Sequence, residues 1–176
     1  MDQNRPHARP SRNLSAPLSW LSPLAAVAAS VIFAAPVHAT TQSGFVGTVQ
    51  WHGPFGDLDI KTKSDTFDLK LKTKGDSELY VIRNAIAVGG TSGWHRHPGP
   101  SLVTVTLGQV TVYDDALCTP TTFHAGDTFV DDGDHVHLIR NDSAAVAETS
   151  AVQLIPRGAM RRIDAPQPNN CPSSLH

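Results

Sequence analysis

The sequence has few cysteines and no concentration of basic charge. Its 176 residues include two cysteines, and 14 Lys and Arg stand against 16 Asp and Glu, for a formal net charge of −2. Two cysteines are too few for a disulfide-rich scaffold or a four-cysteine zinc site. The balanced charge, without a Lys/Arg cluster, argues against nucleic-acid binding. Frequent interruption by 13 Gly and 13 Pro favours many short strands over long helices.

Several catalytic signatures are also missing. The chain has no Gly-x-Ser-x-Gly motif, so a serine nucleophile of the hydrolase type is not predicted. Its only glutamates are Glu78 and Glu148, which leaves few candidates for a hydrolase that uses a carboxylate pair. Neither cysteine lies in a Cys-x-x-Cys motif, and we therefore do not expect redox catalysis by the cysteines.

The first 39 residues differ from the rest of the chain. Three arginines within the first twelve residues precede an apolar run at 24–35, and small residues of the A-x-A cleavage type end at Ala39. An uncleaved membrane anchor is the alternative, but these twelve apolar residues rise only about 18 Å as a helix, less than the ~30 Å hydrocarbon core. The sequence thus predicts a signal peptide over 1–39, one mature domain over 40–176, and a secreted or periplasmic location.

Export would place the two cysteines in an oxidising compartment, where thiols can pair. Because Cys118 and Cys171 are the only two, one connectivity exists. We predict a Cys118–Cys171 disulfide that ties the C-terminal segment to the loop around Cys118. Two unpaired buried thiols are the alternative.

Alternation of apolar and polar residues indicates β-structure through the mature chain. Strands are predicted at 67–71, 102–107, 110–113, 128–130, 135–140 and 145–155. Strands 102–107 and 110–113 flank Gly108 and predict a hairpin. Segments 40–64 and 164–176 are interpreted as loop-rich arms. Many short strands without a sizeable amphipathic helix are typical of an all-β sandwich or barrel.

Two His-x-His pairs carry the strongest chemical signal, His95 with His97 and His135 with His137. On a strand, residues i and i+2 project from the same face, so each pair can direct two imidazoles at one point. Imidazole nitrogens are ligands for zinc, iron, copper and nickel. A lone His-x-His is a weak signal in a chain with nine histidines. His52 and His124 have no matching spacing and are not predicted as ligands.

The surroundings of these pairs resemble the two conserved motifs of the cupin superfamily. Gly93 to Gly108 is similar to the first motif, in which two histidines one residue apart are followed by an acid and then a glycine. Gly126 to Asn141 is similar to the second motif, and the two occur in the family's order with a compact 17-residue interval between Gly108 and Gly126. The resemblance implies a single-domain double-stranded β-helix, the cupin or jelly-roll barrel, with a divalent metal inside.

Carried over by position, the resemblance assigns the metal ligands to His95, His97 and His137. His135 would then lie nearer the barrel mouth, although periodicity alone does not separate it from His137. Ser101 stands where the family has its carboxylate ligand, and a neutral hydroxyl is a poor substitute.

The second motif also departs from the family, because aspartates at positions 132 and 134 replace its proline and glycine. Three interpretations stay open. The three histidines can bind a metal and leave positions open for water or substrate; a nearby acid, Asp131, Asp132 or Asp134, can complete the set of ligands; or the site can be a relic without metal.

For function, the resemblance implies a metal-dependent enzyme of the oxygenase, isomerase or lyase type that acts on a small molecule. The expected cofactor is a divalent transition metal, with Fe, Mn, Zn, Ni and Cu all open, and no catalytic residue is assigned. The alternative is a non-catalytic barrel that binds a small ligand or a metal. A small-molecule ligand is the expected partner, without nucleic acid and without membrane contact after signal cleavage, and a homodimer stays open.

Overall fold

The computed structural model describes residues 39–175, and this part of the chain consists of β-strands, turns and loops without a helix. The strands are β1 (Ser43–Phe55), β2 (Asp59–Lys63), β3 (Asp68–Lys72), β4 (Ser77–Thr91), β5 (His95–Arg96), β6 (Ser101–Leu107), β7 (Gln109–Asp114), β8 (Thr121–His124), β9 (Thr128–Asp131), β10 (His137–Arg140), β11 (Ala147–Pro156) and β12 (Ile163–Asp164). Among the described residues, no helix is long and apolar enough to cross a membrane. The predicted signal peptide lies outside them except for Ala39, and it stays a prediction.

The strands form two antiparallel layers. One layer has the order β1-β4-β11-β6-β9, and the other has the order β12-β5-β10-β7-β8. The pairing of Thr91 with Arg140 joins them at one corner, and β2 with β3 forms a separate hairpin. The architecture is the all-β double-stranded barrel that the sequence predicts.

Apolar side chains from both layers fill the space between them. Ile86, Val105 and Ala147 from the first layer pack with Val110 and Ile139 from the second, and none of the five exceeds 6% exposure. The alternation along β11 directs every second residue into this core and leaves the others half-buried or exposed. The interior of the barrel is therefore apolar where these five residues pack, and the polar residues of the interior lie outside this core.

Segment 40–64 is not the loop-rich arm that the sequence predicts. It contains β2 and the 13-residue β1, which pairs with β4 along its length. Exposed residues dominate β1, including Val46 and Trp51. Because β1 is an edge strand interrupted by glycine and proline, it lacks the alternation by which half-buried strands are predicted.

The predicted hairpin around Gly108 is also wrong. Strand β6 pairs with β9 and β11, whereas β7 pairs with β8 and β10, so the chain crosses from one layer to the other at Gly108. Gly108 has a φ of +70°, and a Cβ there would lie 2.6 Å from the carbonyl oxygen of Val146. This close approach requires glycine and explains a sequence signal that looks like a tight turn.

The Cys118–Cys171 disulfide is confirmed, with 5.4 Å between the two Cα atoms. It fastens the C-terminal segment over the second layer, where Leu175 packs with Trp94 and Leu138. A disulfide is consistent with an oxidising compartment.

Candidate metal centre

The fold brings together the three histidines that the resemblance singles out. His137 begins β10 and is paired in register with His95 of β5, and His97 follows β5. The ring centroids are 4.3 Å apart for His95 and His137, 4.8 Å for His95 and His97, and 5.2 Å for His97 and His137. One nitrogen from each ring lies within 4.8 Å of those from the other two. We call these three residues the histidine cluster.

Backbone carbonyls fix the orientation of the rings. The Nδ1 atom of His95 donates to the Gly93 carbonyl at 2.8 Å, and that of His97 donates to the Arg161 carbonyl. The Nδ1 atom of His137 lies 3.4 Å from the His135 carbonyl. Each contact leaves Nε2 as the nitrogen available to a ligand. Histidines that bind metals are held in this way, with the second ring nitrogen donating to a carbonyl or carboxylate.

Burial keeps these rings neutral at physiological pH. Desolvation is the largest cause that lowers the pKa of His95, and the neighbouring His137 lowers it further. Desolvation also lowers the pKa of His97 and of His137 below the ordinary range. A metal binds the neutral imidazole, so the histidine cluster does not need to lose protons before it binds one.

Acidification is therefore expected to destabilise the metal-free protein. Below about pH 6.5 the unfolded chain protonates these histidines, whereas the folded protein resists protonation because their folded pKa values are lowered. The free energy of unfolding should decrease as the pH is lowered, by up to about 1.4 kcal/mol per pH unit for each ring that stays neutral. Denaturant unfolding of the metal-free protein at neutral and acidic pH measures this slope. A His95→Ala variant should show a shallower dependence of unfolding free energy on pH. An equal dependence would contradict the conclusion that His95 is buried as a neutral ring.

The structure distinguishes among the acids proposed to complete the site. Ser101 is buried, and its Oγ accepts a hydrogen bond of 3.0 Å from Nε2 of Gln153. Asp132 and Asp134 are exposed, and Asp134 pairs with Arg96 outside the cluster. Asp131 alone among the three contacts the histidine cluster, with Oδ2 at 3.6 Å from Nε2 of His97.

The other histidines of residues 39–175 lie away from the cluster. His135 is solvent-exposed near Asp115, because β10 begins at His137 and not two residues earlier. His124 is exposed at the end of β8, as the sequence predicts. His52 lies on β1, where it contacts Glu78 at 2.8 Å and stacks on Tyr80.

Two cavities adjoin the cluster. The inner cavity has a volume of about 290 Å³, and its lining includes the three histidines, Ser101, Asp131 and Arg161. The outer cavity has a volume of about 560 Å³ and is lined by residues of β7, β8 and β9. Phe129, Asp131 and His137 line both cavities and so form the wall between them.

Arg161 and Gln153 are site residues that the sequence reasoning missed. Arg161 follows His97 by 64 positions, and neither residue belongs to a recognisable motif. Pairing of β11 with β6 places Gln153 opposite Ser101. No local spacing could have identified them, because the register of distant strands and the course of the C-terminal segment decide their position.

A comparison with family models found a match to part of the chain. Residues 84–152 match the family model described as Cupin domain. The match spans β4 to β11 and contains the whole histidine cluster. A search of curated proteins found no match. The part of the chain that resembles a cupin domain thus carries a three-histidine cluster that could bind a metal.

Solved structures similar to this chain include three proteins of the following descriptions. An uncharacterized conserved protein with a double-stranded β-helix domain from Klebsiella pneumoniae is 17% identical, with 64% of this chain and 86% of that chain covered and a TM-score of 0.45. A predicted oxalate decarboxylase from Thermotoga maritima is 23% identical, with coverage of 47% and 83% and a TM-score of 0.40. The polyketide cyclase RemF from Streptomyces resistomycificus is 11% identical, with coverage of 52% and 65% and a TM-score of 0.44.

Proposed function

We propose that this protein is an exported cupin that binds one divalent transition metal through His95, His97 and His137 and acts on a small molecule at that ion. The observation that carries the proposal is the anchoring of the rings, since Nδ1 of each faces a backbone carbonyl and Nε2 is left for a ligand. Burial adds to it by keeping the three rings neutral.

The residues present fit a metal ion. Three imidazoles suit Zn, Fe, Cu or Ni, and a buried carboxylate oxygen of Asp131 without a hydrogen-bond partner lies beside them. A bound ion would supply Lewis acidity to a small molecule in the inner cavity. The chain itself would orient that molecule and shield it from water within the barrel.

The other side chains that line the inner cavity narrow the type of reaction. Asp131 is the one carboxylate in its lining among the described residues. If Asp131 is occupied at the metal, no other carboxylate there can serve as a general base. This favours oxygenation or binding without turnover over hydrolysis, and it keeps a non-catalytic ligand-binding barrel as the second candidate. Consumption of a ligand by the metal-loaded protein separates the two.

The experiment that tests the proposal is metal analysis of the protein purified without added metal. We expect about one transition-metal ion per chain, and its identity would narrow the chemistry. A protein that neither retains metal nor binds added Fe, Mn, Zn, Ni or Cu would contradict the proposal.

The charge of the inner cavity indicates an anionic ligand. Every arginine of residues 39–175 except Arg161 forms an ion pair with an aspartate or glutamate. Arg161 is half-buried in the cavity lining, and its guanidinium lies 5.2 Å from the ring centroid of Tyr80. Stacking on an aromatic ring leaves the edge of a guanidinium available for a carboxylate. We therefore infer a small carboxylate as the ligand class.

Replacing Arg161 with glutamine is expected to weaken carboxylate binding by about tenfold or more, because a charge-assisted hydrogen bond is lost. Benzoate and benzamide form a matched pair of probes that differ in charge, and calorimetric titration of the metal-loaded protein measures both. Benzoate should bind more tightly than benzamide to the wild type, and this preference should shrink by about tenfold in Arg161→Gln. The control Arg157→Gln removes a surface arginine that pairs with Asp76. An equal loss in both variants would contradict the role of Arg161.

A further inference from the structure

Asp131 reaches the histidine cluster through the pairing of two strands. Its Cα is directly opposite that of Ser101 in the β6–β9 register, and both residues line the inner cavity. An acid at position 131 therefore occupies nearly the same part of the barrel as an acid at position 101. The chain has a hydroxyl at one of these positions and a carboxylate at the other.

The loop after β9 holds one oxygen of this carboxylate. The Gly133 N–H donates to Oδ1 of Asp131 at 3.0 Å, and the Gly133 carbonyl accepts from the His97 N–H at 2.9 Å. Gly133 has a φ of +112°, and a Cβ there would lie 2.7 Å from the carbonyl carbon of Gly99. Only glycine fits this turn, and the turn fixes Asp131 relative to His97.

The second oxygen has no partner. Oδ2 of Asp131 is buried, in a side chain that is only 9% exposed, and it forms no hydrogen bond. Leaving a carboxylate oxygen buried and unpaired is unfavourable, so such groups are normally paired or coordinate a metal. This oxygen is 3.6 Å from Nε2 of His97, the nitrogen that its backbone contact leaves available.

The distance fits two ligands of one ion. Atoms that each lie about 2.1 Å from a metal are about 3.0 Å apart at a right angle and about 3.4 Å apart at the tetrahedral angle. Oδ2 of Asp131 and Nε2 of His97 are within a few tenths of an ångström of that spacing. Oδ1 is 3.6 Å from Nδ1 of His137, which places the whole carboxylate beside the cluster.

We propose that Asp131 is the fourth protein ligand of the metal, and that it supplies from β9 the carboxylate that Ser101 does not supply from β6. This inference rests on the proposed metal-binding function. It changes the character of the site, because three neutral nitrogens leave the full charge of a divalent ion, whereas an added carboxylate cancels one unit of it. A hard oxygen donor also improves the fit to iron or manganese.

The test is titration of the metal-free protein with Co²⁺, whose visible absorption reports the ligand set as well as the affinity. We expect the wild type to bind one Co²⁺, and Asp131→Asn to bind it at least about 100-fold more weakly with a changed spectrum, since loss even of an outer partner costs 10–100-fold. Asp132→Asn is the matched control, because it removes the same charge from an exposed neighbour. It should bind within about twofold of the wild type.

A second variant and a second measurement keep the result interpretable. Asp131→Ala removes the oxygen altogether and should show the same loss of affinity. Denaturant unfolding of the metal-free proteins should find Asp131→Asn at least as stable as the wild type, because the variant no longer buries an unpaired carboxylate. A merely structural aspartate would instead make the variant less stable, and that result would overturn the inference.

The remaining outcomes separate this inference from the proposed function. If the wild type binds no Co²⁺ or other transition metal, both are wrong. If Asp131→Asn and Asp131→Ala bind Co²⁺ with the affinity and spectrum of the wild type, the protein is a metal-binding cupin in which Asp131 is not a ligand. A loss of affinity without a change in spectrum would make Asp131 a neighbouring charge and would also overturn the assignment.

Discussion

Replacing His97 with alanine is expected to remove stoichiometric metal from the protein while the fold is retained. His97 contributes one of the three nitrogens of the histidine cluster, and its ring is held by the Arg161 carbonyl and not by the apolar core. Loss of a direct ligand should reduce affinity by more than about 100-fold, because changes to outer partners already cost 10–100-fold. His97 is not part of the apolar core that joins the two layers and includes Val110 and Ile139.

His135→Ala is the matched control for this experiment. His135 belongs to the other His-x-His pair, but its side chain is exposed and lies near Asp115 and Asp132 outside the cluster. Elemental analysis of both variants, purified in parallel with the wild type and without added metal, should find about one ion per chain in His135→Ala and almost none in His97→Ala. Full metal content in His97→Ala would place the ion elsewhere, and far-UV circular dichroism would confirm that each variant is folded.

The clustering of the three histidines could be predicted from the sequence because their geometry is largely local. His95 and His97 are two residues apart around a short strand, and His137 follows Gly126 at the interval typical of the second motif. The strand-forming segments of β6, β9 and β11 were also predictable, since each shows alternation that burial on one face requires.

Strand pairing and the position of Asp131 beside the histidine cluster could not be predicted in the same way. The sequence around Gly108 has the pattern of a hairpin, but that glycine serves a crossing between layers, and only the tertiary contact with Val146 distinguishes the two. The sequence alone does not show which of Asp131, Asp132 and Asp134 faces the histidine cluster. The register of β9 against β6 directs Asp131 inward and leaves the next aspartate exposed.

The disulfide holds the C-terminal segment, and this segment covers a residue next to the histidine cluster. Cys118 and Cys171 are separated by 53 positions, and the segment that follows Cys171 includes Leu175, which packs on Trp94. The indole N–H of Trp94 donates to the Leu175 carbonyl at 3.1 Å. Trp94 is fully buried and immediately precedes His95. Release of this segment would thus uncover the residue next to the histidine cluster.

Replacing both cysteines with serine is expected to lower the free energy of unfolding by about 4 kcal/mol, since the chain-entropy model gives that value for a closed loop of this length. The packing of Leu175 on Trp94 should weaken as well, because the segment would no longer be held at Cys171. Urea unfolding of the oxidised wild type and of the double variant measures the difference. A reductant should destabilise the wild type towards the variant and leave the variant unchanged. Equal unfolding midpoints for the oxidised wild type and the variant would show that packing alone holds the C-terminal segment over Trp94, and that the disulfide adds nothing to the support of His95.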